Sequence, residues 1–185
     1  MNRLPKLVIL ESATVVSDDV AGTGIASTDG WPAVPGSLES IARLNHAGVT
    51  VAIVSNHLSN SAGAVSWDEV NRAHARFHHA LARCGGHVDG IFFCPHGPDE
   101  RCECRLPAPG LLRSISLRFN VPLQGVIFFC RSDDGRNAAV AARAIPVVIG
   151  SGDPFQDLSG AVDWLFSGSR LRHRNSCRWR SCNSR

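Results

Sequence analysis

Cys94-Pro-His96 and Cys102-Glu-Cys104 place three thiols and one imidazole within eleven residues. Together they form a Cys3His set, the donor pattern of a tetrahedral structural zinc site. The Cys-x-His and Cys-x-Cys pairs can each grip one metal from a tight turn. Gly97 and Pro98 allow the chain to double back between them, and Pro95 and Pro107 stiffen the ends. Thiolates are soft ligands and select zinc over magnesium. With four protein ligands no position is left for a reactive water, so the expected zinc is structural. The alternative is a loop of free reduced thiols, which would invite oxidation. Seven cysteines is an odd total, and the chain opens with no export signal, which favours a metal site over a disulfide framework. Cys84, Cys130, Cys177 and Cys182 then remain as buried or tail thiols.

Two further patterns carry less. His74 and His78 are spaced i, i+4 with His79 beside them, a spacing that can hold a metal on one helix face. No carboxylate accompanies them in a metalloprotease pattern, so a packed or solvated face is expected. Gly22-Thr-Gly24 lacks the following helix and the Lys-Ser/Thr pair of a phosphate loop, and reads as a loop over the site.

These groups need a scaffold. The 185 residues suit one domain, and 44% apolar residues suffice for one core. No apolar run is long enough to span a membrane. Met1 to Lys6 leads into an apolar stretch, Leu7 to Leu10, too short for a signal peptide and followed by no small-residue cleavage site. A cytoplasmic location without membrane association is expected. The net charge of +3 arises from the end of the chain, where Arg170, Arg172, Arg174, Arg178, Arg180 and Arg185 stand without an acid. The remainder is slightly acidic, which argues against a nucleic-acid-binding body. The expected division is a domain over 1–166 and a basic, disordered tail over 167–185. The tail's Cys, Trp and Arg-Ser composition is also what a shifted reading frame would produce, and a degraded gene product is the corresponding alternative.

Lys6 to Leu10, Val49 to Val54, Gly90 to Cys94, Gly125 to Cys130 and Pro146 to Ile149 read as short buried strands. Between and after them, helices are expected from Ser37 (as N-cap) to Gly48, over Trp67 to Cys84, Gly110 to Phe119, Asn137 to Arg143 and Asp157 to Phe166. Alternating strands and helices imply an α/β doubly wound parallel sheet, whose ligands bind at the carboxyl ends of the strands. The loops after Leu10, Val54, Cys94 and Cys130 are therefore the candidate site.

Phe93-Cys-Pro-His-Gly-Pro-Asp-Glu-Arg-Cys-Glu-Cys-Arg-Leu-Pro-Ala-Pro-Gly110, Pro35-Gly-Ser-Leu-Glu-Ser-Ile-Ala-Arg-Leu44 and the His74 to Gly86 helix carry a resemblance. Over roughly Lys6 to Gly150 the chain resembles the D-glycero-D-manno-heptose 1,7-bisphosphate 7-phosphatases, a zinc-loop branch of the haloacid-dehalogenase superfamily. That resemblance implies a Rossmann-like sheet and phosphoryl-transfer motifs at its carboxyl edge. In the family an Asp-x-Asp pair follows the first strand: one Asp attacks phosphorus and binds magnesium, the other is the acid/base. Here Glu11 stands at the nucleophile position and Ala13 at the acid/base position. Glutamate displaces the attacking oxygen by on the order of an ångström, worth about 10²-fold. Alanine has no proton to give, where general acid–base help is worth roughly 10²–10⁴-fold.

The remaining motifs depart as well. Ser55 and Asn56 match the second motif, while His57, Leu58 and Ser59 do not, and the family's later Arg falls on Ala62. Arg105 matches the third motif, but its Lys is replaced by Leu106. In the fourth, Cys130 and Arg131 replace Gly-Asp, and Gly135 replaces the later Asp, so magnesium binding is doubtful. Asp133 and Asp134 are read as capping the next helix. The implied protein is a catalytically deficient member that binds a sugar phosphate through Ser55, Asn56 and Arg105, or a partner protein, as a monomer. The alternative is an active magnesium-dependent phosphatase that uses Glu11.

Overall fold

The computed structural model describes residues 4–16, 33–56, 67–97 and 99–168. Strand β1 (Leu7–Glu11) is buried along its whole length and ends in a 3-10 turn, Ser12–Thr14. The chain continues through α1 (Ser37–His46), β2 (Thr50–Asn56), α2 (Trp67–Arg83), β3 (Gly90–Cys94) and α3 (Gly110–Phe119). It closes with β4 (Ile127–Cys130), α4 (Asp133–Ala141), β5 (Ile145–Val148) and α5 (Leu158–Ser167). The five strands form one sheet in the order β3-β2-β1-β4-β5, and every pairing is parallel.

Two-residue periodicity sorts the strand side chains onto two faces. Val8, Leu10, Val51, Ile53 and Phe129 pack with Ile41 and Leu44 of α1, Phe77 and Leu81 of α2, and Leu158 and Val162 of α5. Leu7, Ile9, Ala52, Val54 and Phe128 pack with Leu111, Leu112 and Ile115 of α3 and Ala138 and Ala139 of α4. Burial on both faces explains strands that are apolar throughout rather than alternating.

The chain runs outward from β1 to β3, then crosses back to β4 on the other side of β1. The switch point lies between β1 and β4, where the carboxyl ends open a crevice in sheets of this kind. Among the described residues no helix is long and apolar enough to cross a membrane.

Several boundaries differ from expectation. Ser37 is the first residue of α1, and Gly36 takes the N-cap with φ 75°. That left-handed conformation suits glycine, and the Ser37 hydroxyl instead donates to Val15 O at 3.0 Å, tying α1 to the segment after β1. Helix α4 starts at Asp133 rather than Asn137, capped by Ser132, whose Oγ accepts from Gly135 N at 2.8 Å. Asp133 and Asp134 thus lie in the first turn, where their charge favours the helix dipole, and the cap is Ser132. Ser167 belongs to α5 rather than to the tail. Residues 169–185, the Gly22-Thr-Gly24 loop, His57 to Ser59 and Ala62 lie outside the described residues.

Candidate functional site

Three strands deliver the central groups. Glu11 is the last residue of β1, Ser55 and Asn56 end β2, and Arg131 is the first residue after β4. Glu11 is 8% exposed, so its charge needs partners. It finds them at the start of α4: Oε2 accepts from Arg131 N at 2.7 Å and Ser132 N at 3.1 Å, and Oε1 accepts from the Ser132 hydroxyl. The Ser132 hydroxyl therefore donates to Glu11 while accepting from Gly135 N. Backbone N–H groups at a helix N-terminus are a natural anion site, and here the anion is the chain's own carboxylate.

Gly135 makes this arrangement possible. A Cβ at that position would stand 2.7 Å from Glu11 Oε2 and 2.9 Å from Cys130 Cβ. Ala13 is half-buried and offers only its backbone, and its carbonyl accepts from Arg131 Nη1 at 3.3 Å. Ser12 Oγ donates to Ser55 Oγ at 3.2 Å, so two hydroxyls meet at the ends of β1 and β2. Buried Cys130 closes the floor, its thiol pushed up to about 12 by burial and by the neighbouring Glu11 charge. Asp133 is exposed and pairs with Arg136 at 2.8 Å.

Asn56 and Arg105 face the cysteine loop. Asn56 Nδ2 donates to Leu106 O at 3.0 Å, and Leu106 N donates to Asn56 Oδ1 at 2.8 Å, a two-bond clasp between β2 and the segment before α3. Arg105 Nη1 donates to His96 O at 2.9 Å. Gly110 allows the loop to close: its N–H donates to Glu103 O at 2.9 Å, and a Cβ there would collide with that oxygen.

Cys94, His96, Cys102 and Cys104 form a cluster able to hold a metal ion, their donor atoms all within 4.8 Å of one another. Cys104 Sγ lies 3.2 Å from Cys94 Sγ and 3.5 Å from Cys102 Sγ, and Cys94 Sγ lies 3.6 Å from Cys102 Sγ. His96 Nδ1 is 3.6 Å from Cys94 Sγ and 3.1 Å from Cys104 Sγ. A tetrahedron with metal–sulfur bonds of ~2.3 Å has edges of ~3.8 Å, so the donor set fits such an ion after slight expansion. Without a metal, burial works to raise the Cys102 thiol, but hydrogen bonds from the Arg105 backbone and with Cys104 and Cys94 bring it down to about 7. Burial and the neighbouring Cys94 and Cys102 thiols push Cys104 up to about 12. A bound cation would supply the charge that lets all three ionise.

Ser12, Ser132 and the role of Gly135 were not singled out from sequence. The signal for Ser132 was present, since Ser-Asp-Asp-Gly is a serine N-cap followed by acids in the first turn. His74 is half-buried, and His78 and His79 are exposed on α2.

No family model matches the chain. It is 41% identical over 166 residues to the D-glycero-beta-D-manno-heptose-1,7-bisphosphate 7-phosphatase of Bordetella bronchiseptica, covering 90% of this chain and 91% of that protein. It is 39% identical over 157 residues to the enzyme of the same name from Pseudomonas putida, covering 85% and 89%. The crystal structure of D,D-heptose 1,7-bisphosphate phosphatase from B. bronchiseptica, complexed with magnesium and phosphate, superposes with a TM-score of 0.80 at 37% identity, covering 89% of this chain and 100% of that one. The corresponding phosphatase from Burkholderia thailandensis gives 0.65 at 26% identity, covering 88% and 99%. Magnesium requires several oxygen ligands in octahedral geometry. The four positions Glu11, Ala13, Arg131 and Gly135 do not by themselves meet that demand: among them only Glu11 carries a carboxylate, and both its oxygens are hydrogen-bonded to the start of α4.

Proposed function

The chain belongs to the D-glycero-beta-D-manno-heptose-1,7-bisphosphate 7-phosphatase family of the haloacid-dehalogenase superfamily, and on that premise we propose that it binds a phosphorylated sugar at the carboxyl edge of its sheet with hydrolysis at or near background. The observation that carries this reading is the Glu11 carboxylate, held by Arg131 N, Ser132 N and the Ser132 hydroxyl rather than presented to a ligand. Attack on phosphorus by Glu11 would draw on an oxygen already engaged at the start of α4. Ala13, one residue beyond Ser12, supplies no proton to a leaving group. In this reading the Cys94, His96, Cys102 and Cys104 cluster holds a structural zinc, consistent with its three thiols and filled coordination. The Asn56–Leu106 clasp and the Arg105–His96 bond connect that loop to the end of β2.

The second reading is an active magnesium-dependent phosphatase that uses Glu11 as nucleophile. The names of the relatives, over 90% and 85% of the chain, favour it over catalytic deficiency; the engagement of Glu11 favours the first reading. Phosphate release from D-glycero-D-manno-heptose 1,7-bisphosphate, with magnesium, by the zinc-loaded protein and by Glu11→Ala decides between them. Turnover indistinguishable between the two proteins and close to background is expected. Magnesium-dependent turnover abolished by Glu11→Ala would establish a glutamate-nucleophile enzyme and end the first reading.

A further inference from the structure

Resting on the reading that a phosphorylated ligand meets the carboxyl edge, we propose that this edge is a metal-independent oxyanion site, in which the Arg131 guanidinium supplies the positive charge and the Ser12 and Ser55 hydroxyls complete the cradle. The groups come from three adjacent strands at the switch point. Ser12 directly follows β1, Ser55 lies at the end of β2, and Arg131 directly follows β4.

The Arg131 guanidinium is not held in an ion pair among the described residues. A guanidinium carries five N–H donors, and Arg131 Nη1 gives one to Ala13 O at 3.3 Å. Glu11, the acid bound to the Arg131 backbone, has both oxygens engaged at the start of α4. Asp133 is exposed and paired with Arg136. What remains is a half-buried cation bonded to the Ala13 carbonyl, the residue next to Ser12, whose hydroxyl lies 3.2 Å from that of Ser55. Because Ser12 donates to Ser55, the Ser55 hydrogen is left to donate to an incoming anion. The planar guanidinium fork matches two oxygens of a phosphate monoester. Of the motif positions 11, 13, 131 and 135, only Glu11 carries a carboxylate that could recruit magnesium, whereas Arg131 brings a cation that the fold itself supplies.

The test is calorimetric binding of inorganic phosphate to the full, zinc-loaded chain in magnesium-free buffer, then with magnesium added. Binding without magnesium is expected, with Kd changed less than about twofold by the metal. Arg131→Gln should weaken binding about tenfold or more, the scale of a lost hydrogen bond to a charged group. Arg131→Lys, which keeps the charge but not the fork, should lose less. Circular dichroism and zinc content verify that each variant is folded. Binding seen only with magnesium, no binding at all, or an unchanged Kd in Arg131→Gln would each overturn the proposal. If the sugar bisphosphate still binds Arg131→Gln normally, this inference fails while the proposed function stands. Magnesium-dependent turnover by the unmodified protein would instead remove the catalytic-deficiency reading.

Discussion

Replacing Glu11 by alanine removes one carboxylate and leaves three donors facing a gap: Arg131 N, Ser132 N and the Ser132 hydroxyl. Hydrogen bonds to an ionised acceptor are each worth about 1.5–3 kcal/mol, and an anion at a helix N-terminus adds roughly 0.3–1 kcal/mol. These contributions overlap, and water can enter the truncated site from its half-buried rim, so a simple sum would overstate the loss. A destabilisation of about 2–4 kcal/mol is expected. In a domain of this length that lowers Tm by roughly 4–16 °C. Glu11→Gln is the informative companion, because it keeps the volume but offers one acceptor oxygen and turns an NH2 group toward backbone donors. It should fall close to alanine rather than to the parent. Thermal and urea denaturation, with an unchanged m-value as the sign that the same two states are compared, measure both. A Glu11→Ala protein as stable as the parent, or more stable, would refute the reasoning. It would mean that the carboxylate sits strained and available, as a nucleophile would.

Gly135→Ala brings a methyl to 2.7 Å from Glu11 Oε2 and 2.9 Å from Cys130 Cβ, and should cost about 1–2 kcal/mol after the helix-propensity gain is set against the crowding. In a Glu11→Ala background part of that cost should vanish, and additive losses in a double-mutant cycle would disprove the contact. In metal-stripped folded protein, Cys102, brought down to about 7, should alkylate near neutral pH. Cys130, pushed up to about 12, should react only on unfolding, and mass mapping of labelled peptides separates the two. Because an unfolded thiol ionises near 9.0 while folded Cys130 is held to about 12, this group's stabilising contribution should decline as pH rises from 9 towards 12, read as falling Tm in alkaline buffer.

The strands were legible because a parallel sheet covered on both faces writes itself as short apolar runs. β3 and α3 appear at their expected residues, and β1 differs by one residue at each end. The cysteine cluster was legible because its four ligands are local: a loop of eleven residues needs no tertiary information to bring them together. The start of α4 was not, because Asp133, Asp134 and Gly135 are weak helix formers and the apolar stretch begins only at Ala138. Placing that start late hid Ser132 as the cap and so hid the acceptor it donates to. The partnership of Glu11 with Ser132 spans 121 residues, and such pairings leave no periodic trace. Asn56 shows the same limit: its residue type suits a ligand contact, but its amide clasps the Leu106 backbone fifty positions away.

The interlock of Glu11 with Gly135 has a consequence for redesign of the edge. A side chain longer than hydrogen at 135 collides with the glutamate, and a shorter acid at 11 withdraws from the donors of α4. An aspartate introduced at either position alone should therefore give a less stable protein than the present one. The two positions form one packing unit, and substitutions at them should not be additive. Engineering of this edge would therefore have to treat positions 11 and 135 together rather than one at a time.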